Sequence, residues 1–143
     1  MLAKISIGNQ SFEYARQEKV FYIDKTEFIK EWWECTDVVT LITRPRRFGK
    51  TLNLSMMECF FSTTFSQRED LFEGLSIWNE QKYRKMQGTW PAISLTFAGI
   101  KSTNFQNAKS GIVGAIADVY ESHKYLKNSD ALSKEEKADY DVF

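Results

Sequence analysis

The sequence predicts an α/β protein in which a parallel sheet is flanked by helices. Residues 38–43 (VVTLIT) are apolar and β-branched without polar alternation, as expected of a central strand that is covered on both faces. Residues 92–98 (AISLTFA) supply the next strand, with Pro91 tolerated at its start. A segment of helical periodicity follows each run, and strands that alternate with helices are typical of a parallel sheet.

Two helices are predicted before the first strand. Residues 11–19 suit a short helix. Residues 24–35 (DKTEFIKEWWEC) predict a second helix, because Asp24 and Glu27 have the spacing of a capping box. The large apolar side chains of this segment recur on one helical face: Phe28, Ile29, Trp32 and Trp33.

The helix predicted from residue 50 is apolar over much of its circumference, so we expect it to be deeply buried. Residues 69–75 and 79–86 read as further helical or irregular pieces. After the second strand, residues 104–121 predict a long helix, and Ser133 with Glu136 again has capping-box spacing.

The composition is that of one ordinary soluble domain of 143 residues, with 43% hydrophobic residues to form a core. Basic and acidic residues both number 19, so the overall charge does not favour nucleic acid or a membrane. Cys35 and Cys59 lie in segments predicted to be buried helix, which suits reduced thiols. No apolar run is long enough for a signal peptide or a membrane span, so we expect a cytoplasmic protein without a membrane partner.

The segment RPRRFGKT, residues 44–51, joins the first predicted strand to a helix. Gly49, Lys50 and Thr51 form the G-K-[ST] end of a phosphate-binding loop. In such a loop the glycine lets the backbone approach the phosphates, the lysine reaches the β- and γ-phosphates, and the hydroxyl holds magnesium. The motif therefore predicts ATP and Mg²⁺ as ligands. The alternative is a plain turn followed by a solvated helix start.

Arg44 departs from the usual loop, because it stands where the first glycine of G-x-x-x-x-G-K-[ST] is expected. Pro45 fixes its own φ and biases Arg44 towards extended backbone, so the loop must leave the strand differently. Arg44, Arg46 and Arg47 can compensate chemically, since guanidinium groups match phosphate oxygens. Alternatively, some or all of them point to solvent or pair with carboxylates such as Asp24.

Other candidate residues are few. Phe48 and Leu52, beside the tripeptide, join the loop residues as nucleotide contacts, and Tyr22 and Ile23, which precede the first strand, are candidates to flank the base. For Tyr22 the alternative is core packing. His123 has no partner at metal-ligand spacing, so a zinc site is not expected.

Four segments in order resemble the N-terminal part of the predicted AAA-ATPase-like family: FYIDKTEFIKEWW, LITRPRRFGKTLNLSMMECFF, DLFEGLSIW and WPAISLTF. The resemblance runs from residue 7 to at least residue 100 and covers Arg44, Pro45 and Phe48 in the family's own version of the loop. It implies a P-loop NTPase-like domain of RecA/AAA type that binds ATP through Gly49, Lys50 and Thr51. In many members a PD-(D/E)XK nuclease-like domain follows.

Hydrolysis needs a Walker B carboxylate at the end of a later strand. The strand from residue 92 ends in Gly99, Ile100 and Lys101 without an acid. We therefore expect residues 1–143 to be the N-terminal part of an ATPase domain, incomplete at its C-terminus, that binds ATP without hydrolysing it alone. The other hypothesis is a degenerate loop whose arginines contact nucleic acid or a protein. A small-molecule kinase is neither supported nor excluded, and the oligomeric state is open.

Overall fold

A computed structural model describes residues 4–130 and 132–140, and it is dominated by helices. The α-helices are α1 (Phe12–Gln17), α2 (Glu27–Cys35), α3 (Lys50–Phe61), α4 (Gln81–Arg84), α5 (Phe105–Ser122) and α6 (Lys134–Tyr140). Short 3₁₀ helices lie at Thr63–Phe65, Glu69–Leu71, Ser76–Asn79 and Lys124–Asn128. The chain divides into two compact units, Met1–Ala92 and Ile93–Phe143, and each is described by itself.

The predicted parallel sheet is wrong. The β-structure of the described residues consists of isolated bridges, Lys4 with Val20 and Ser62 with Trp90, and residues 38–43 and 92–98 are irregular. A strand needs a neighbour for its N–H and C=O groups, and no ladder joins residues 38–43 or 93–98 to another described segment. Apolar β-branched residues fit well into a sheet that other elements cover. Their presence does not itself provide the neighbouring strand or the covering helix. A RecA/AAA-type α/β fold is therefore not what these residues form.

The exposure of the first run shows how far the expectation failed. Val38 is 100% exposed, Val39 83% and Leu41 82%, whereas the pattern had predicted cover on both faces. The second run is also open, with Ile93 70% exposed.

The core of the first unit is aromatic and forms around the C-terminal end of α3. Phe60 is fully buried and Phe61 nearly so. The ring of Phe60 meets that of Phe72 edge to face at a centroid distance of 5.3 Å, and Phe61 meets Trp32 at 5.4 Å. Such pairs add about 0.5–1.5 kcal/mol each to simple area burial. The buried members of the cluster are Phe12, Ile29, Met56, Cys59, Phe60, Phe61, Leu71, Phe72, Leu75, Ile77 and Tyr83.

Backbone groups at the C-terminal end of α3 are satisfied by a distant part of the chain. The amide side chain of Gln87 donates to the carbonyl of Cys59 at 3.2 Å. The N–H of Gly88 donates to the carbonyl of Phe60 at 2.8 Å, and that of Trp90 to Phe61 at 2.9 Å. Because carbonyls at a helix end have no intrahelical donor, these bonds fix the end of α3 in the core.

Burial of α3 is limited to its C-terminal half. Met56, Cys59, Phe60 and Phe61 are buried, but Leu54, nearer the start, is 60% exposed. The prediction of a deeply buried helix is therefore right for one end and wrong for the other. Cys59 is buried as predicted, whereas Cys35 is exposed at the end of α2.

The helices before the loop were predicted and are present. Ser11 caps α1 by accepting the N–H of Tyr14, and α1 is fixed to α3 because the N–H of Phe12 donates to Oγ of Ser55 at 3.0 Å. Helix α2 begins at Glu27, and its N-cap, Thr26, makes no side-chain capping bond. The predicted capping box between Asp24 and Glu27 is therefore not formed.

In the second unit the long predicted helix is present as α5, and Oδ1 of Asn104 accepts the N–H of Gln106 at 2.8 Å. The predicted capping box of Ser133 and Glu136 forms in full. The N–H of Ser133 donates to Glu136 Oε2 at 2.8 Å, and the N–H of Glu136 donates to Ser133 Oγ at 3.2 Å. Within residues 4–130 and 132–140, no helix is both long and apolar enough to cross a bilayer.

Among the glycines of the first unit, Gly88 should be the one whose replacement by alanine lowers the free energy of unfolding most. Its φ is +68°, and a Cβ atom there would lie 2.3 Å from Cα of Ser66. Gly74 has a similar φ of +77° but open space around it, so Gly74→Ala isolates the conformational cost. We expect Gly74→Ala to lower the free energy of unfolding by about 1–2 kcal/mol and Gly88→Ala by at least about 3 kcal/mol. Urea unfolding measures both losses, and equal losses would contradict the packing at Gly88.

Candidate functional site

Residues 44–51 form a turn that ends in the first residue of α3. Gly49 precedes the helix with φ +74° and ψ +21°, in the left-handed region that a residue with a Cβ atom adopts at a cost. Its carbonyl accepts the N–H of Asn53 at 2.8 Å, the first bond of the helix. Arg47 also has a positive φ, +69°, which is uncommon outside glycine. The backbone of this turn therefore has two residues with positive φ, and the conformation at position 49 favours glycine.

The N-terminus of α3 is open. No side chain caps it, and its first turn contains no acidic residue. Within the described part of the chain, no protein acceptor is recorded for the N–H groups of Lys50, Thr51 and Leu52. Unpaired amides and the positive end of the helix dipole together favour an anion at this position.

The side chain of Lys50 folds back over the loop. Its ammonium donates to the carbonyl of Arg44 and, at 3.5 Å, to that of Pro45. No carboxylate of the described residues forms an ion pair with it. The positive charge of Lys50 thus lies at the loop and is not neutralised there.

The loop arginines are exposed, and none of Arg44, Arg46 and Arg47 forms an ion pair or side-chain hydrogen bond with a described residue. Of the two alternatives raised from the sequence, pairing with Asp24 is wrong, because that carboxylate bonds to other groups. The guanidinium groups point to solvent, where an anion can reach them.

Asp24 and Thr26 fasten the turn before α2 to a later part of the chain. Asp24 Oδ1 accepts from the N–H of Thr26 at 2.9 Å and from its hydroxyl at 2.7 Å, and Oδ2 accepts the N–H of Ser76 at 2.7 Å. Thr26 is fully buried, and its Oγ1 accepts the N–H of Ile77 at 3.2 Å. Burial raises the pKa of Asp24, but the bonds from Thr26 and Ser76 outweigh it and lower the pKa below its ordinary value.

A pocket of about 600 Å³ lies beside the loop, within the usual size range of small-molecule sites. Residues 45–52 line one side, and residues 6–10 and 20–22 line another. No lining residue carries a carboxylate. Residues 6–10 were not predicted from the sequence, although Gly8, with φ +82°, marks a turn there that could have drawn attention.

Tyr22 contributes to both the core and the pocket. Its hydroxyl donates to Sδ of Met56 at 3.2 Å, and its ring meets that of Phe12 edge to face at 5.3 Å. Burial raises its pKa to about 12, so the hydroxyl stays protonated. The core-packing role is therefore present, and Tyr22 also borders the pocket beside the loop.

The donor set fits a phosphate better than a free metal ion. Thr51 is exposed, and no hydrogen bond of its hydroxyl to a described residue is recorded, so this oxygen is available. Within residues 4–130 and 132–140, no group of three or more His, Cys, Asp and Glu side chains is placed to hold a metal. Mg²⁺ prefers oxygen ligands and commonly binds with substrate phosphates. The Thr51 oxygen could therefore hold Mg²⁺ only together with an anionic ligand.

A glycine-ended loop, an open helix N-terminus and a lysine without a carboxylate partner define a candidate anion site. A family model described as "Predicted AAA-ATPase" matches residues 6–141. The chain therefore belongs to this family. The resemblance inferred from the loop and its neighbouring segments is thereby confirmed.

One curated relative is the "Uncharacterized protein in vnfD 5'region" of Azotobacter chroococcum mcd 1. It is 31% identical over 97 residues, which are 67% of this chain and 17% of the relative. The matched part of this chain thus spans about a sixth of that protein. No solved structure matches the chain.

The hydrogen bonds to Asp24 predict a pH-dependent stability. Because its folded-state pKa lies below the ordinary value of 3.8, ionised Asp24 stabilises the fold above that value, and the contribution is lost as the pH falls through the folded-state pKa. We expect wild type to lose stability more steeply than Asp24→Asn below about pH 4. Urea unfolding at several pH values between about 5 and 3 measures the difference.

Asp37→Asn is the matched control, because Asp37 is exposed and no hydrogen bond of its carboxylate to a described residue is recorded. Its stability should follow wild type across the pH range. Parallel curves for wild type and Asp24→Asn would contradict the role given to the Asp24 bonds.

Proposed function

We propose that this chain binds ATP through residues 44–51 as the nucleotide-binding part of an ATPase. The observation that carries the proposal is the uncapped N-terminus of α3, whose first residue, Lys50, holds its ammonium at the carbonyls of Arg44 and Pro45. Membership of the predicted AAA-ATPase family supports the same ligand.

Each group at the loop has a separate task in this proposal. The N–H groups of Lys50 and Thr51 donate to phosphate oxygens, with the helix dipole adding favourable charge. The Lys50 ammonium exchanges the carbonyls of Arg44 and Pro45 for phosphate oxygens, and this replaces neutral acceptors with charged ones. When bound, Mg²⁺ supplies further charge neutralisation at the phosphates, and the Thr51 hydroxyl is its protein ligand.

In this proposal the base lies against the part of the same pocket that the loop does not line. Tyr22 and residues 6–10 belong to that part of the lining. The partly buried ring of Tyr22 offers an apolar edge, and Phe48, 60% exposed, offers a second aromatic surface. Leu52 adds an aliphatic contact beside the phosphates.

Hydrolysis requires more than binding. In-line attack of water on the γ-phosphorus is assisted by groups that stabilise the developing charge, here Lys50 and a loop arginine, and by a carboxylate that organises metal or water. The lining of the 600 Å³ pocket contains no carboxylate, and Glu27 is the single carboxylate of a second pocket that Lys50 also lines. We therefore propose ATP binding without turnover for this chain alone, and ATPase activity in a longer protein, which in this family often carries a nuclease-like domain.

The competing function is a non-enzymatic contact with nucleic acid through Arg44, Arg46 and Arg47. The exposure of these unpaired guanidinium groups favours it, because phosphate backbones are bound in the same way. It differs from ATP binding in not needing the α3 amides or Lys50. Polynucleotide binding would depend on the arginines and weaken strongly with salt.

Lys50→Ala should weaken ATP binding about ten- to a hundredfold, because a hydrogen bond to a charged group is worth about 1.5–3 kcal/mol. Isothermal titration with ATP and Mg²⁺ measures the affinity. Lys85→Ala is the matched control, since Lys85 is an exposed lysine of the same unit that does not line the pocket. Thermal unfolding of both variants confirms that the fold is retained.

Two outcomes would oppose the proposal. Unchanged ATP affinity in folded Lys50→Ala would remove the phosphate role of the loop. Displacement of ATP by a single-stranded polynucleotide, with the polynucleotide binding equally well to Lys50→Ala, would favour the arginine-based function instead.

A further inference from the structure

We propose that Lys25 supplies a second ammonium group to the bound phosphates; this inference rests on the proposed function of the loop. Nζ of Lys25 lies 3.8 Å from the position that a Cβ atom would occupy at Gly49. Gly49 is the residue from which α3 begins, so this ammonium lies beside the start of the helix. Neither the loop motif nor the spacing of the sequence had assigned Lys25 a ligand.

Lys25 reaches the loop without a partner that would explain its position. It is exposed, and no hydrogen bond or ion pair of its ammonium with a described residue is recorded. Lys25 and Glu27 both line a second pocket, of about 610 Å³, but they form no ion pair with each other. The placement of this charge is therefore not set by a neighbouring carboxylate.

Other positive charges share that pocket. Lys25, Arg44 and Lys50 all line it, and Phe48 and Lys50 also line the first pocket, of about 600 Å³. Glu27 is the single carboxylate of that lining, so its three positive side chains outnumber the negative ones. This local excess of positive charge favours a polyanion bound at the loop.

The backbone at Lys25 is fixed before any ligand arrives. Asp24 and Thr26, its neighbours on both sides, are bonded to Ser76 and Ile77, and the carbonyl of Lys25 accepts the N–H of Phe28 at 3.0 Å. Only the lysine side chain needs to adjust on binding. A rigidly held backbone lowers the ordering cost of such a contact.

Two ammonium groups and an open helix end suit a ligand with several phosphate charges. A nucleoside monophosphate can meet the α3 amides but has too little charge to engage both lysines well. A di- or triphosphate extends along the loop and can accept from Lys50 and Lys25 together. The site should therefore select nucleoside di- and triphosphates over monophosphates, with Lys25 contributing to that preference.

The test compares Lys25→Met, Lys25→Arg and Lys85→Met with wild type, by isothermal titration with ATP, ADP and AMP in the presence of Mg²⁺. We expect Lys25→Met to weaken ATP and ADP binding about tenfold, the effect of one charge-assisted contact. AMP binding should change much less. Lys25→Arg keeps the charge and can still donate to phosphate oxygens, so it should lose less affinity for ATP than Lys25→Met. Lys85→Met should match wild type for all three nucleotides, and thermal unfolding shows that each variant is folded.

The outcomes separate the two proposals. ATP bound by folded Lys25→Met within twofold of wild type would overturn the role of Lys25 while leaving the loop's function standing. An equal loss of ATP affinity in Lys25→Met and Lys25→Arg would also overturn it, because that pattern would mean that the shape of the lysine side chain matters and its charge does not. Failure of wild type to bind ATP would refute the proposed function, and the role of Lys25 with it.

Discussion

Phe60 and Phe61 hold the C-terminal end of α3 in the aromatic core, and the rest of the first unit depends on that contact. Their rings pack against Phe72 and Trp32, while backbone donors from residues 87–90 satisfy the carbonyls of the same turn. Removing one such ring costs about 3–5 kcal/mol in typical cores. Because a helix is rigid along its axis, fixing this end also fixes where the N-terminus of α3 points. The open N–H groups of Lys50 and Thr51 are thus positioned by side chains a full helix length away.

The two ends of α3 show how stability and function are divided between parts of one element. The buried end has satisfied carbonyls, and the exposed end has free amides, an uncapped start and positive side chains without carboxylate partners. Charges of one sign and unpaired amides do not favour folding, so the core must compensate for them. The bonds of Asp24 and Thr26 to residues 76–77 fix the backbone on both sides of Lys25. The ammonium of Lys25 lies near Gly49, at the start of α3. An anion-binding role gives these otherwise unfavourable features a common reason.

Local signals in the sequence predicted much of the local structure, although the capping box of Asp24 and Glu27 is not formed. The periodicity of α2, α3 and α5 and the capping box of Ser133 with Glu136 all have short-range causes, and all are present. The sheet failed because residues 38–43 and 92–98 show apolar β-branched composition, but pairing depends on long-range neighbours that composition does not specify. The loop residues of the candidate site were identified from their spacing. Lys25 and residues 6–10 were not, because only the folded chain brings them beside Gly49 and Lys50.

The most direct test of the claim that α3 presents a phosphate site is a map of its amides by two-dimensional ¹⁵N NMR during titration with ATP and Mg²⁺. Saturable shifts should be largest for the N–H groups of Gly49, Lys50, Thr51 and Leu52, and inorganic phosphate should move the same amides more weakly. Amides 49–52 that stay unmoved at saturating ATP, while signals elsewhere in the unit shift, would contradict the claim.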